Sequence, residues 1–202
     1  AHDQTSTITI NLTDVNDNAP VITTNGGTAV SLNYAENLTS SVYTVAATDG
    51  DAGDVRTYSL AGTDAAKFNI NSSTGVVTWV SPPNYEAATD SDGNNVYEFD
   101  VVATDLAGAT DTQAVSVTVT DTNDIAPVLT VDSATVNLAE NATSGVISGA
   151  DADATDLDGT SVNSTVTYSL DSPPGGGSTP LFSIDSSTGE ISLTSAGAAT
   201  IN

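Results

Sequence analysis

The chain repeats itself. Residues 5–21, TSTITINLTDVNDNAPV, lie over residues 112–128, TQAVSVTVTDTNDIAPV, without a gap. Other landmarks return in the same order: AEN at 35–37 and 139–141, YSL at 58–60 and 168–170, and FNINSSTGVVTW at 68–79 with FSIDSSTGEISL at 182–193. A repeat constrains architecture more than any single motif, because every copy must bury its apolar residues by the same plan. A period of roughly one hundred residues is too long for a small solenoid and fits a self-contained sandwich domain linked in series.

Within one copy the apolar residues alternate. In YEFDVVATD (97–105), Tyr97, Phe99, Val101 and Ala103 share one face, and in AVSVTVT (114–120) Val115, Val117 and Val119 do the same. Period two is the signature of a half-buried strand. Further strands are expected at 41–47, 55–60, 67–71 and 75–80, with Gly, Asp, Asn and Ser between them. SSTG at 72–75 and 186–189 predicts a hairpin turn whose Gly takes a positive φ. Helical spacing is nowhere convincing, so the expected fold is an all-β sandwich. The phasing sets the boundaries. Residues 1–13 read as the last strand of a preceding domain, and 14–120 as one complete domain opening on a linker at 14–20. Residues 121–202 read as a second linker and a partial domain lacking its last two strands.

Composition narrows the function classes. Two Lys and Arg stand against 26 Asp and Glu, a net charge of −24. Such a chain has nothing with which to neutralise phosphates, so nucleic acid is not an expected partner. Basic attraction to an anionic membrane is equally absent, and the apolar runs are too short to span a bilayer. Without Cys there is no disulfide or thiolate site. The one His, His2, leaves little for histidine catalysis or for most zinc and iron sites. With no Met the chain reads as an internal or processed piece of something longer. An apolar fraction of 38% argues against disorder.

DVNDNAP at 14–20 and DTNDIAP at 121–127 carry the chemistry. Hard cations such as Ca²⁺ take six to eight oxygen ligands from carboxylates, amides and main-chain carbonyls. An extended Asp/Asn linker alternates side-chain and main-chain oxygens, and Ala-Pro stiffens its exit into the next strand. With the AEN glutamate, an Asp-x-Asp loop, YSL, the TG turn and the ATDLAG segment, the chain resembles tandem cadherin repeats along nearly its whole length. The low Lys and Arg content and the absence of Cys resemble the prokaryotic cadherin-like type of large secreted or cell-surface proteins. The resemblance implies tandem Greek-key, Ig-like β-sandwich domains joined by Ca²⁺-binding linkers.

Carried over by residue, the resemblance implies two ligand sets. At the second linker these are Glu36 and Glu86, with Asn84 standing where the family's Asp-x-Glu motif has Asp. Asp121, Asn123 and Asp124 would add side chains, and Thr122 and Ile125 main-chain carbonyls, so that Ile for the usual Asn costs little. The following Asp-x-Asp loop is Asp151/Asp153 or Asp156/Asp158: the gapless match of 147–151 to 45–49 favours the first pair, ATDLDG the second. At the first linker the set is Asp14, Asn16 and Asp17, main-chain oxygens of Val15 and Asn18, Asp49 and Asp51, and Asp105 of ATDLAG. A site from Asn16, Asn18, Asp49, Asp51 and Asp105 needs no preceding domain.

Plainer readings stand beside these. Linker Asp and Asn are commonly turn formers and solvated caps; the coordinated duplication is what favours metal. Asp90, Asp92 and Asn94 fit either a further Ca²⁺ loop or a solvated hairpin tip. Trp79 with Pro82, Pro83 and Tyr85 fits either a sugar-stacking platform or, as large aromatics usually do, core packing. Asn-x-Ser/Thr sequons begin at Asn11, Asn37, Asn71, Asn141 and Asn163. No base, nucleophile or cofactor motif accompanies the acids, so no enzyme is expected. The expected function is a calcium-rigidified spacer or adhesive segment of an extracellular, cell-surface or fibre protein. The alternatives are a carbohydrate- or self-binding module, or a filament completed by donation of the 5–13 strand, where Ile8, Ile10 and Leu12 alternate.

Overall fold

The alternation read at 97–105 and 114–120 is realised as the two longest strands. The computed structural model describes residues 4–130, 135–159, 164–171 and 180–201. It divides into two units, Ala1–Thr120 and Asp121–Asn202. In the first unit the strands are β1 (Val21–Ile22), β2 (Val30–Ala35), β3 (Tyr43–Thr44), β4 (Ala47–Thr48), β5 (Thr57–Ala61), β6 (Phe68–Ile70), β7 (Val76–Trp79), β8 (Val96–Thr104) and β9 (Thr110–Thr120). They form a four-stranded sheet in the order β2-β9-β8-β5, a three-stranded sheet β3-β7-β6, and the pair β1-β4. Pairing is antiparallel except for β2, which runs parallel to β9 from Val30↔Val115 to Ala35↔Thr120.

The inner faces meet in one core. Tyr97, Phe99, Val101 and Ala103 of β8 and Val115, Val117 and Val119 of β9 are at most 3% exposed. Phe68 bridges the sheets, its ring 4.4 Å from Phe99 and 4.2 Å from Trp79. Burying an aliphatic or aromatic side chain of this kind is worth about 1.5–3 kcal/mol. One polar group joins them: Gln113 accepts from the Tyr43 hydroxyl at 2.7 Å and donates to the Thr24 and Thr28 carbonyls at 2.8 and 2.7 Å. Its hydrogen-bonding capacity is used internally, which is what makes its burial tolerable. Strand β2 was not expected from alternation; Val30, Leu32 and Tyr34 form a short stripe that β9 organises by pairing beside it.

The second unit contains β10 (Val128–Thr130), β11 (Gly145–Asp151), β12 (Asp153–Thr155), β13 (Phe182–Ile184), β14 (Glu190–Leu193) and the helix α1 (Ser195–Ile201). Its sheets are β10-β12 and β11-β14-β13. Among the described residues the chain is all-β apart from this one short α-helix, where Ala-rich sequence favours it and Thr194 caps it, Oγ1 accepting from the Gly197 amide at 3.0 Å. The repeat is otherwise carried in three dimensions. Ile22 pairs with Ala47 as Leu129 pairs with Ala154. The Tyr58 hydroxyl accepts from the Ala47 amide as the Tyr168 hydroxyl accepts from Ala154. Both SSTG turns form as expected, with Gly75 at φ 69° and Gly189 at φ 74°. A Cβ at Gly75 would stand 2.3 Å from the Val45 carbonyl oxygen, and one at Gly189 2.2 Å from that of Ala152. Glycine is therefore required twice over in each copy, for its φ and for the approaching strand.

Candidate cation-binding site

The first linker is held to the first unit by its own acids and amides. Asn18 donates its backbone N–H to Asp51 Oδ2 at 2.8 Å and its amide Nδ2 to Asp51 Oδ1 at 2.6 Å. Asn18 Nδ2 also reaches Asp17 Oδ1 at 3.1 Å, and the Ala52 N–H donates to Asp14. Asp49 Oδ1 in turn accepts from the Asp51 amide at 2.9 Å, an Asx turn that shapes the loop. The Asn18 amide, then its backbone N–H, hold the Asp51 carboxyl below the usual carboxylate range.

One residue that sequence reading passed over belongs to this cluster. Asp54, three positions after Asp51, accepts at Oδ1 from Asn16 Nδ2 at 2.8 Å and from the Leu106 amide at 3.2 Å. A cleft of about 160 Å³ opens among Asp14, Asn16, Asp51, Asp54 and Leu106. Asp105 stands beside Leu106, 6% exposed, its Oδ1 accepting from the Ala109 amide at 2.7 Å. Four oxygens here are buried without any donor among the described residues: Asn16 Oδ1, Asp49 Oδ2, Asp54 Oδ2 and Asp105 Oδ2. A buried carboxylate oxygen without a donor is costly. Carboxylate and amide oxygens are the donor types that hard divalent cations take. Val15, expected to lend only its carbonyl, has its side chain in solvent.

The second unit repeats the frame. Strand register puts Thr155 where Thr48 stands, since Val21 pairs with Thr48 and Val128 with Thr155. The next residues, Asp156 and Asp158, therefore occupy the places of Asp49 and Asp51. Their bonds match: Asp158 donates its N–H to Asp156 Oδ1 at 3.1 Å, and Asp158 Oδ1 accepts from the Ile125 N–H at 3.1 Å. Asp158 is 3% exposed with Oδ2 buried and without a donor among the described residues. An oxygen of Asp124 lies within 4.8 Å of one of Asp158. Asp151 ends β11 and Asp153 opens β12, both exposed and outside this frame. Asp121 and Thr122 are half-buried and Asn123 is exposed.

At the far end of the first unit, Glu36 is 2% exposed, its Oε2 accepting from the Tyr85 amide at 2.7 Å. A carboxylate oxygen of Glu86 lies within 4.8 Å of one of Glu36. Asn84 is occupied locally, accepting from the Ala87 amide at 2.7 Å. Elsewhere the acids close on themselves. Asp90 accepts from the Asn94 and Asn95 amides, so the 90–95 loop is a hydrogen-bonded tip. Trp79 packs edge-on to Tyr97 at 4.8 Å and over Phe68, and also lines, with Pro82 and Pro83, a cleft of about 590 Å³. His2 and Asn163 lie outside the described residues. Among the described residues no helix is long and apolar enough to cross a membrane.

Comparison with known proteins bears on the fold and the family. The cadherin domain profile matches residues 30–120. The chain is 36% identical over 197 residues to chicken cadherin-related family member 1, covering 95% of this chain and 21% of that protein. It is 33% identical to mouse cadherin EGF LAG seven-pass G-type receptor 2, covering 92% of this chain and 6% of that one. It therefore spans a minor part of the relatives' length. The solved protocadherin gammaB7 EC3-6 cis-dimer superposes with a TM-score of 0.70 at 25% identity, over 94% of this chain and 46% of that one. Cadherin domains are extracellular parts of cell-surface adhesion proteins, not enzymes. Residues 30–120 carry a cadherin domain, and the chain is a member of the cadherin family.

Proposed function

We propose that the chain is a calcium-binding segment of an extracellular adhesion protein, in which bound Ca²⁺ stiffens the linkers so that 14–120 and 121–202 act as structural spacer domains. The observation that carries this is that Asn16, Asp49, Asp54 and Asp105 around the first linker each hold a buried oxygen without a donor among the described residues. Ca²⁺ would supply the missing positive charge and tie residues 14–18 to the loops at 49–54 and 105. The protein's part is positional: the backbone amides of Asp51 and Ala109 pin one oxygen of Asp49 and Asp105, leaving the other inward. In the second unit the ligands are Asp124, Asp156 and Asp158, with Asp121, Asn123 and the carbonyls of Thr122 and Ile125 around them. Glu36 and Glu86 are the acids at the end of the first unit. Sites of extracellular modules have Kd values around 10⁻⁴–10⁻³ M, so extracellular Ca²⁺ would fill them.

The test is calorimetric titration with Ca²⁺, alongside X-ray scattering of the chain in Ca²⁺ and in EGTA. Binding with a narrower, stiffer scattering profile in Ca²⁺ is expected. No binding, or identical profiles, overturns the reading.

A further inference from the structure

The cleft beside Trp79 exists in one copy of the repeat and is closed in the other. In the first unit Lys67, Trp79, Ser81, Pro82, Pro83 and Asn84 line it, and its volume of about 590 Å³ falls within the range of ligand pockets, about 300–1,000 Å³. Its 82–85 wall is held in place by the unit itself. The Pro83 carbonyl accepts from the Asn37 amide at 2.9 Å, and Tyr85 donates its N–H to Glu36 and accepts at its carbonyl from Asn95 Nδ2 at 2.9 Å. In the second unit the strand register is the same: Phe68 pairs with Trp79 as Phe182 pairs with Leu193. The Lys67 carbonyl accepts from Val80 as that of Leu181 accepts from Thr194, each at 2.9 Å. Lys67 and Trp79 are therefore Leu181 and Leu193 there, and Pro82, Pro83 and Asn84 are Ala196, Gly197 and Ala198 in step. The second unit's chain fills the place: a Cβ at Gly197 would stand 2.2 Å from the Leu181 carbonyl oxygen and 2.6 Å from Leu193 Cδ1. The repeated fold thus requires neither the indole, the lysine nor the prolines.

The lining gives the ligand's chemistry. The half-buried Trp79 and the exposed Pro82 supply rigid apolar surface, which suits the C–H face of a sugar ring. Beside them stand hydrogen-bond donors: the Lys67 ammonium, the Ser81 hydroxyl and the Asn84 amide. The Asn84 carbonyl oxygen is engaged by the Ala87 N–H at 2.7 Å, so its NH₂ is left to donate. Among the described residues no Asp or Glu lines this cleft, whereas Glu98 and Asp100 line a second cleft, and Asp14, Asp51 and Asp54 the one at the first linker. In a chain with 26 acids and two Lys and Arg, an acid-free cleft that holds one of the two cations is complementary to an anion. We infer that this cleft binds an acidic saccharide, a uronic acid residue whose ring lies against Trp79 and whose carboxylate meets Lys67. The inference is independent of the calcium reading above.

Trp79 is the one tryptophan of the chain, so its fluorescence reports on the cleft directly. The whole chain is titrated with trigalacturonic acid and with neutral galactotriose, in EGTA so that no metal bridges sugar to protein. Sodium chloride at about 0.15 M limits the reach of the overall negative charge to about 8 Å. A saturable change in Trp79 emission is expected with the uronate, at a Kd about tenfold below that of the neutral sugar, the scale of one charge-assisted hydrogen bond. Lys67→Gln keeps the apolar stem and should erase that preference while leaving the neutral sugar unaffected. Arg56→Gln removes the chain's other cation and should alter neither. Trp79→Leu, the residue of the second unit, should abolish binding of both sugars by calorimetry while the unfolding transition is retained. The inference is overturned by the absence of a saturable change in wild type, by equal affinity for the two sugars, by equal losses in the Lys67 and Arg56 variants, or by binding that survives Trp79→Leu. The wild-type comparison of the two sugars decides the matter even if a variant fails to fold, and no outcome bears on calcium.

Discussion

The two linkers carry nearly the same seven residues, yet the structure treats one position differently. In DVNDNAP, Asn18 holds Asp51 with two bonds, one from its backbone and one from its amide. In DTNDIAP, Ile125 holds Asp158 with its backbone alone, at 3.1 Å. Read as a carbonyl donor, the fifth motif residue is interchangeable; read as a clamp, it is not. The comparison teaches that the motif does more than offer oxygens: it also locks the Asp-x-Asp loop through hydrogen bonds. The first linker locks its loop with backbone and side chain, and the second must rely on its backbone.

The strongest challenge to the equivalence of the units is at their turns. Gly75→Ala and Gly189→Ala each force a side chain onto a carbonyl oxygen at positive φ. Each should lose about 3 kcal/mol from its own unit, seen as a drop in one calorimetric transition. A loss at only one turn would break the equivalence.

Metal linkage comes next. At free Ca²⁺ about fifty-fold above Kd, native-state binding should add about 2 kcal/mol per site. Asp49→Asn should remove that gain from the first unit and Asp156→Asn from the second, while Asp151→Asn leaves both transitions in place. Thermal scans in Ca²⁺ and EGTA check this, and an Asp151 effect as large as that of Asp156 would reverse the assignment of the loop.

The clamp itself is testable by exchange. Asn18→Ile should cost the first unit about 1 kcal/mol in EGTA, the scale of one hydrogen bond, and let the Asp51 pKa rise, since its largest depressing cause is gone. Ile125→Asn should raise the second transition by a similar amount. Chemical denaturation reads both, and no gain at position 125 would mean the second loop has no place for the amide.

The smallest effect concerns acid. The two SSTG turns are closed by the same Asx geometry, from Asn71 in one copy and Asp185 in the other. The Thr188 amide, then that of Ser187, hold the Asp185 carboxyl below its ordinary value. A depressed folded pKa gives stability that is present above the unfolded value, about 3.9, and lost as pH falls through the folded one. The second hairpin should therefore loosen below about pH 4, whereas the first, closed by a neutral amide, should not. Amide exchange at Gly189 and Gly75 across that range measures it, and Asp185→Asn should erase the difference.

Much of this fold is legible in the residues. The strands at 97–105 and 114–120 follow from alternation, and the hairpins follow from Ser-Ser-Thr-Gly at 72–75 and 186–189. Strand β2 was less legible, because its short stripe becomes a strand only beside β9. The helix at 195–201 was hidden by its small, weakly patterned side chains. At the candidate site the linker acids and Asp49, Asp51 and Asp105 were readable as oxygen donors, and Asp54 was not.

The sequence by itself determined the period-two faces, the turns and the acidic character of the linkers, because each depends on neighbours a few residues away. The tertiary structure decided which acidic pair of the second unit stands in the loop frame, since a five-residue difference in alignment is resolved only by strand register. It also decided which oxygens are left bare. Asp54 meets the Leu106 amide across 52 residues of chain and Asn16 across 38. Whether a carboxylate is fully bonded or half open depends on those distant donors, and no local pattern encodes them.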